Sequence, residues 1–132
     1  MHEWSLAEAV VSAVSQIAEK EGLKEVRKVQ LRLGELQQVD KKILKFALSQ
    51  MKSGKLGKTK FTIRTIKAEF MCRKCNHKWF LREVDIADEI RESIHFIPEV
   101  AYAYFRCPKC GSPDFEILKG RGLWIAEIKG VK

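Results

Sequence analysis

No apolar run in this 132-residue chain approaches the roughly 20 residues that a membrane-spanning helix requires. Its opening also lacks the basic n-region of a signal peptide, and Glu3 and Glu8 interrupt the first apolar stretch. Both absences point to a cytoplasmic protein with no membrane partner. The chain has no glycine-rich phosphate loop, no Ser–His–Asp set and no pair of carboxylates at catalytic spacing, so it is not expected to be an enzyme. Histidine and proline occur three times each and cysteine four times. The placing of these scarce residues is informative, because every cysteine and every proline falls between Glu69 and Leu118.

Apolar residues make up 45% of the chain and charged residues 32%, a globular profile for one ordinary domain or two small ones. The net charge is +8. Lysine and glutamate mix in most segments and no solid basic arm stands out. A solvated, ion-paired surface therefore accounts for the charge as well as a nucleic-acid partner does.

Periodicity predicts an opening helix. Ser5 and Glu8 make an S-x-x-E capping box, with Trp4 stapled onto Ala9 and MHE left as a short free lead-in. Leu6, Val10, Ala13, Val14 and Ile17 share one stripe, and Gly22 stops the helix. EVRKVQLRLGEL then alternates, with Val29, Leu31 and Leu33 on one face, as a half-buried strand ended by Gly34. Asp40 is expected to cap a second helix that buries Ile43, Leu44, Ala47, Leu48 and Met51. Ser53–Lys58 reads as a turn. KFTIRTIKAEF reads as one long strand with a bulge near Thr65. DIADEIRES reads as helical and GLWIAEI as a last strand closing the layer.

Cys72 and Cys75 in CRKC, and Cys107 and Cys110 in CPKC, are two C-x-x-C pairs with 31 residues between them. Two such turns can present four thiolates tetrahedrally to Zn2+ at about 2.3 Å. Four thiolates fill the shell and leave no place for a reactive water, so the zinc would be structural. With few apolar residues of its own, a module of this size would rely on it. Disulfides do not suit a cytosolic chain, and the doubled motif without a βαβ pattern does not suit thioredoxin-type chemistry. His77, in NHKW, is expected at the surface or just behind the ligands. His95 stands where DIADEIRES meets HFIPEVAYAYF.

The first three residues admit a second metal. The α-amine of Met1, the main-chain nitrogen of His2 and its imidazole can close two fused chelate rings. Three nitrogens held nearly in a plane suit Ni(II) or Cu(II). The alternative is a histidine placed second by chance.

MHEWSLAEAV at the start, LRLGEL after the first strand, the two C-x-x-C pairs and the short closing strand together resemble the HypA/HybF family of nickel metallochaperones for [NiFe]-hydrogenase maturation. The resemblance runs nearly end to end, and the spacer between the knuckles is similar to the longer archaeal type. It implies Ni2+ as transient cargo bound by Met1 and His2 with Glu3 beside them, and structural Zn2+ on Cys72, Cys75, Cys107 and Cys110. It implies an α+β fold, two helices on a small three-stranded mixed sheet with an inserted four-cysteine, zinc-ribbon-like module. Residues 1–68 with 119–132 would form the nickel-binding domain and 69–118 the zinc-binding domain. It also implies HypB, a GTPase, and the hydrogenase large-subunit precursor as partners, and leaves a homodimer open. His95, outside the thiolate set, is expected either to complete the nickel shell or to pack at a loop edge.

Two other readings compete. A zinc-ribbon nucleic-acid-binding protein would use Arg73, Lys74 and Lys109 on the knuckles and stack bases on Trp79 and Phe105. A structural adaptor would leave the N-terminus inert.

Overall fold

The computed structural model describes residues 2–84 and 86–132. In chain order it contains α1 (His2–Lys20), β1 (Glu25–Gly34), α2 (Lys41–Gln50), β2 (Lys60–Ile66), β3 (Glu69–Cys72), β4 (Lys78–Phe80), α3 (Asp88–Phe96), α4 (Ala101–Tyr104), β5 (Phe115–Lys119) and β6 (Leu123–Val131). The class is α+β. One three-stranded sheet has the order β2-β1-β6 and the other β4-β3-β5. The chain divides into two compact units: one comprises the chain up to Arg32, Val39–Arg64 and Trp124–Lys132, the other Leu33–Gln38 and Thr65–Leu123.

In the first unit, α1 and α2 pack together and bury Val10, Val14, Leu44 and Leu48, while β1 buries Val26, Val29 and Leu31. Each such side chain contributes about 1.5–3 kcal/mol when taken fully out of water. Asp40 caps α2 as expected, its carboxylate accepting from the backbone N–H of Lys42 at 2.9 Å and of Ile43 at 3.2 Å. Gly22, at φ +69°, ends α1. Leu23 N–H reaches the carbonyl of Ala18, and Gly22 N–H that of Glu19. That paired closure needs a left-handed residue between helix and exit.

Three local expectations fail here. Helix α1 begins at His2 and not after Ser5. MHE is therefore not a free lead-in, since His2 and Glu3 are already helical. The buried stripe is Glu3, Ala7, Val10, Val14 and Ala18, rotated from the expected one, and Ile17 and Ile43 are exposed. Trp4 does not staple onto Ala9; it meets the ring of Phe46 on α2 edge-on, with centroids 6.0 Å apart. This tertiary contact and the burial of Glu3 supply what a Ser5 cap would otherwise have supplied.

KFTIRTIKAEF is also not one strand. β2 ends at Ile66 and β3 begins at Glu69, and they lie in different sheets. The break falls at Ala68, fully buried, whose N–H donates to the Glu35 carboxylate at 2.9 Å and whose carbonyl accepts from Leu81 N–H at 3.1 Å. A Cβ on Gly120 would sit 2.3 Å from the Ala68 Cα, so only glycine fits opposite this turn.

In the second unit β3 pairs antiparallel with β4 and β5, with Phe70 opposite Trp79 on one side and Ile117 on the other. Phe70 lies 5.5–5.6 Å, centroid to centroid, from Trp79, Phe105 and Phe115. Leu36, Leu81, Ile94 and Ala101 complete this core. The expectation of a module with few core apolar residues is thus corrected, because scattered aromatics from separate elements converge on one cluster. Trp79 and Phe105, at 1% and 3% exposure, are not available to stack on bases.

Candidate metal centre

The two C-x-x-C turns are built alike. Cys72 N–H bonds to the carbonyl five residues on, at His77, and Cys107 N–H does the same at Ser112. Asn76 N–H returns to the Cys72 carbonyl and Gly111 N–H to that of Cys107. Asn76 (φ +64°) and Gly111 (φ +77°) supply the left-handed residue after each pair. Asparagine tolerates that conformation better than most side chains do. β3 delivers Cys72 to one knuckle, and the stretch after Phe105 delivers Cys107 to the other.

The four Sγ atoms lie within 4.8 Å of one another. Cys72 and Cys110 approach to 3.5 Å, and Cys75 and Cys107 to 3.6 Å. A tetrahedron of sulfurs around Zn2+ with bonds of about 2.3 Å has edges of about 3.8 Å. The cluster is therefore a four-thiolate site of the right size.

Backbone donors prepare it. Lys74 N–H and Cys75 N–H both point at Cys72 Sγ at 3.4 Å, and Lys109 N–H and Cys110 N–H at Cys107 Sγ at 3.4 and 3.5 Å. Burial raises the Cys72 thiol, but the Cys75 and Lys74 donors outweigh it and bring it down to about 7. The same balance, with Cys110 and Lys109 as donors, lowers Cys107. For Cys75 the backbone at His77 lowers the thiol, but burial and the neighbouring sulfurs raise it to about 11. So the backbone donors favour the thiolate form at the first cysteine of each knuckle. His77 is not in the set. Its ring stacks on Trp79 at 6.1 Å, nearly parallel at 11°. Arg73 is occupied by the Asp114 carboxylate at 2.9 Å and the Phe115 carbonyl at 3.0 Å.

His95 lies in the last turn of α3, where its Nδ1 meets the Gln37 carbonyl at 2.8 Å. Gln37 belongs to a stretch whose binding role composition did not reveal. Gly34 N–H bonds to the Gly122 carbonyl and Leu36 N–H to that of Gly120. Gln37 Oε1 accepts from Gly122 N–H at 3.0 Å, and Gln38 Oε1 from Arg91 at 3.0 Å. LGELQQ is the stitch of the second unit, and it sets the orientation of the His95 ring. The signal was present as Gly34, where a Cβ would lie 2.2 Å from the Gly120 carbonyl oxygen.

Of the N-terminal candidates, Met1 and the His2 side chain lie outside the described residues. Glu3 is 6% exposed. Its carboxylate faces the head of α2 and accepts from Asp40 N–H at a long 3.5 Å. Burial raises this carboxyl, but its own backbone N–H, with further lowering contributions that include the Asp40 N–H, outweighs the effect and leaves it below the usual value. The neighbour that sequence reasoning missed is therefore Asp40, joined to Glu3 across 37 residues.

A family model described as "Hydrogenase/urease nickel incorporation, metallochaperone, hypA" matches residues 1–130. The chain is 50% identical to the hydrogenase maturation factor HypA of Thermococcus gammatolerans over 131 residues, covering 97% of this chain and 94% of that protein. The same factor from Pyrococcus furiosus matches at 50% identity with the same coverage. In fold, the chain is similar to the solution structure of the Ni metallochaperone HypA from Helicobacter pylori, with a TM-score of 0.62, 19% identity, and coverage of 98% of this chain and 97% of that one.

Proposed function

The chain belongs to the HypA family, and on that footing we propose that it binds Ni(II) at its N-terminus and delivers it during maturation of [NiFe]-hydrogenase. The observation that carries this reading is the family match from residue 1, which takes in the MHE segment together with LGEL and both cysteine pairs. Zn2+ on Cys72, Cys75, Cys107 and Cys110 then holds the second unit, and catalysis is not its work. The GTPase HypB and the hydrogenase large-subunit precursor are the proposed partners, in the cytoplasm. No helix among the described residues is long and apolar enough to cross a membrane.

The helical start of α1 supports the chelate. First-turn N–H groups of a helix have no carbonyl four residues behind them. The His2 amide can therefore give up its proton to a metal without breaking a helical hydrogen bond. Glu3, tethered to the head of α2, anchors the residue next to the proposed ligands. An amine, an amide nitrogen and an imidazole all compete with protons for the metal, which suits a carrier that must also release. His95, whose Nδ1 meets the Gln37 carbonyl, is proposed as an auxiliary ligand.

The test is nickel titration of the untagged chain. His2→Ala and a Gly-Ser extension before Met1 should weaken binding to a similar degree, with zinc content unchanged. Affinity should fall as pH drops through about 8 to 6.5, where amine and imidazole protonate. Equal affinity in the extended chain would sink the amine–amide–imidazole arrangement. His95→Ala should weaken nickel binding or transfer at constant zinc content; no change in either would remove His95.

A further inference from the structure

The metal chemistry leaves the charge of the chain unexplained. From Lys41 to Lys67 the sequence carries nine lysines and arginines and no aspartate or glutamate. In the first unit the residues of this stretch fold back on themselves. Lys45 and Ser49, one turn apart on α2, and Lys52 just beyond it come to face Lys58, Thr59, Lys60 and Phe61 at the start of β2, around a cleft of about 220 Å3. Among the described residues none of these four lysines makes an ion pair, whereas nearby Lys55 is bound by Glu19 at 2.9 Å.

The cleft is built. Its floor is the buried Phe61, and fully buried Thr59 is fixed by its hydroxyl donating to the Val26 carbonyl at 2.6 Å. Four like charges gathered without a counter-charge repel one another, and a bound anion would ease that repulsion. The C-terminus of α2 opposes an anion with about half an elementary charge, against four ammonium groups. At about 220 Å3 the cleft is smaller than the roughly 300–1,000 Å3 of drug-sized sites. It offers no exposed aromatic ring on which a base could stack.

We propose that this lysine-lined cleft between the end of α2 and the start of β2 binds a small oligophosphate anion. The ligand class is two or more linked phosphates, free or at the end of a small metabolite. Lysine ammonium groups neutralise the phosphate oxygens as point charges.

The probe is inorganic pyrophosphate, added to the nickel-free, zinc-loaded full chain at about 100 mM salt, where surface charges more than about 10 Å apart are screened. Amide NMR spectra should show saturable shifts confined to residues 45–61. Lys52→Gln with Lys58→Gln should weaken binding about tenfold, and the charge-matched pair Lys20→Gln with Lys129→Gln by less than about twofold. The same spectra report whether each variant is folded. Three results would overturn the site: no saturable shift, equal losses in both double variants, or shifts centred on residues 65–123 from zinc chelation. Shift of the same amides by single-stranded DNA at lower phosphate concentration would overturn the small-anion assignment and give the cleft to a nucleic-acid backbone instead.

Discussion

The two units of the chain solve the same folding problem with different materials. The first holds fifteen basic and seven acidic residues and so carries the entire net charge, whereas the second holds ten of each. The first is held by aliphatic side chains between two helices and a sheet. The second is held by Phe70, Trp79, Phe105 and Phe115 together with four sulfurs. An aliphatic helix–sheet layer draws on amphipathic patterns along the chain, and it contains no cysteine. Three short strands have less to draw on, since strands of three to five residues offer few ladder hydrogen bonds. The second unit therefore concentrates its apolar area in large rings and ties its two knuckles to one ion. The difference also separates charge from metal: the cysteine-tied unit is neutral, and the aliphatic unit carries the basic surface.

The largest effect should come from cutting the metal tie. Cys75→Ala should lower zinc from one per chain to none, and binding energies of about 10–16 kcal/mol for structural zinc leave no reserve in so small a unit. Amide resonances of 65–123 should lose dispersion while those of α1 and α2 keep theirs. Collapse of both sets together would show that the units do not fold independently.

Next come the two cores. Phe70→Ala should cost about 3–5 kcal/mol and Leu44→Ala about 2–5 kcal/mol, read from denaturant unfolding. The sharper readout is the metal: Phe70→Ala should speed zinc loss to a chelator, and Leu44→Ala should not. Equal zinc loss in both variants would erase the distinction between the units.

Within the first unit, Asp40→Ala removes the α2 cap and should cost about 1 kcal/mol, lowering the thermal midpoint with no change in zinc retention.

The smallest effect concerns Glu3. Its carboxyl titrates below its ordinary 4.5 in the folded chain. Its contribution to stability is therefore complete above that value and fades as pH falls through the folded one. The stability lost in Glu3→Gln should be present at neutral pH and shrink steadily under acid. A difference independent of pH would mean that packing, and not charge, is what Glu3 supplies.

The legible parts of this protein are those governed by short-range rules. C-x-x-C spacing gives the knuckle because both thiolates come from one turn. Asp40 reads as a cap because its carboxylate reaches N–H groups two and three residues away, and Gly22 reads as a stop because only its own φ matters. Val29, Leu31 and Leu33 read as a buried face because strand alternation is a property of the backbone. The start of α1 is not legible, because the stabilising contacts of Glu3 and Trp4 come from Asp40 and Phe46, some 40 residues away. KFTIRTIKAEF reads as one strand because nothing local reveals that Ala68 will be bonded to Glu35 and Leu81. Trp79 and Phe105, free for stacking in the sequence, turn inward once β3, β4 and β5 meet. The lysines of one basic stretch, Lys41 to Lys67, line a cleft only once the end of α2 and the start of β2 come together. The sequence by itself determined the two cysteine knuckles and the type of most elements, since both depend on neighbours along the chain. Only the tertiary structure decided where those elements begin and end, which faces are buried and where charge accumulates, because each depends on residues that meet only after folding.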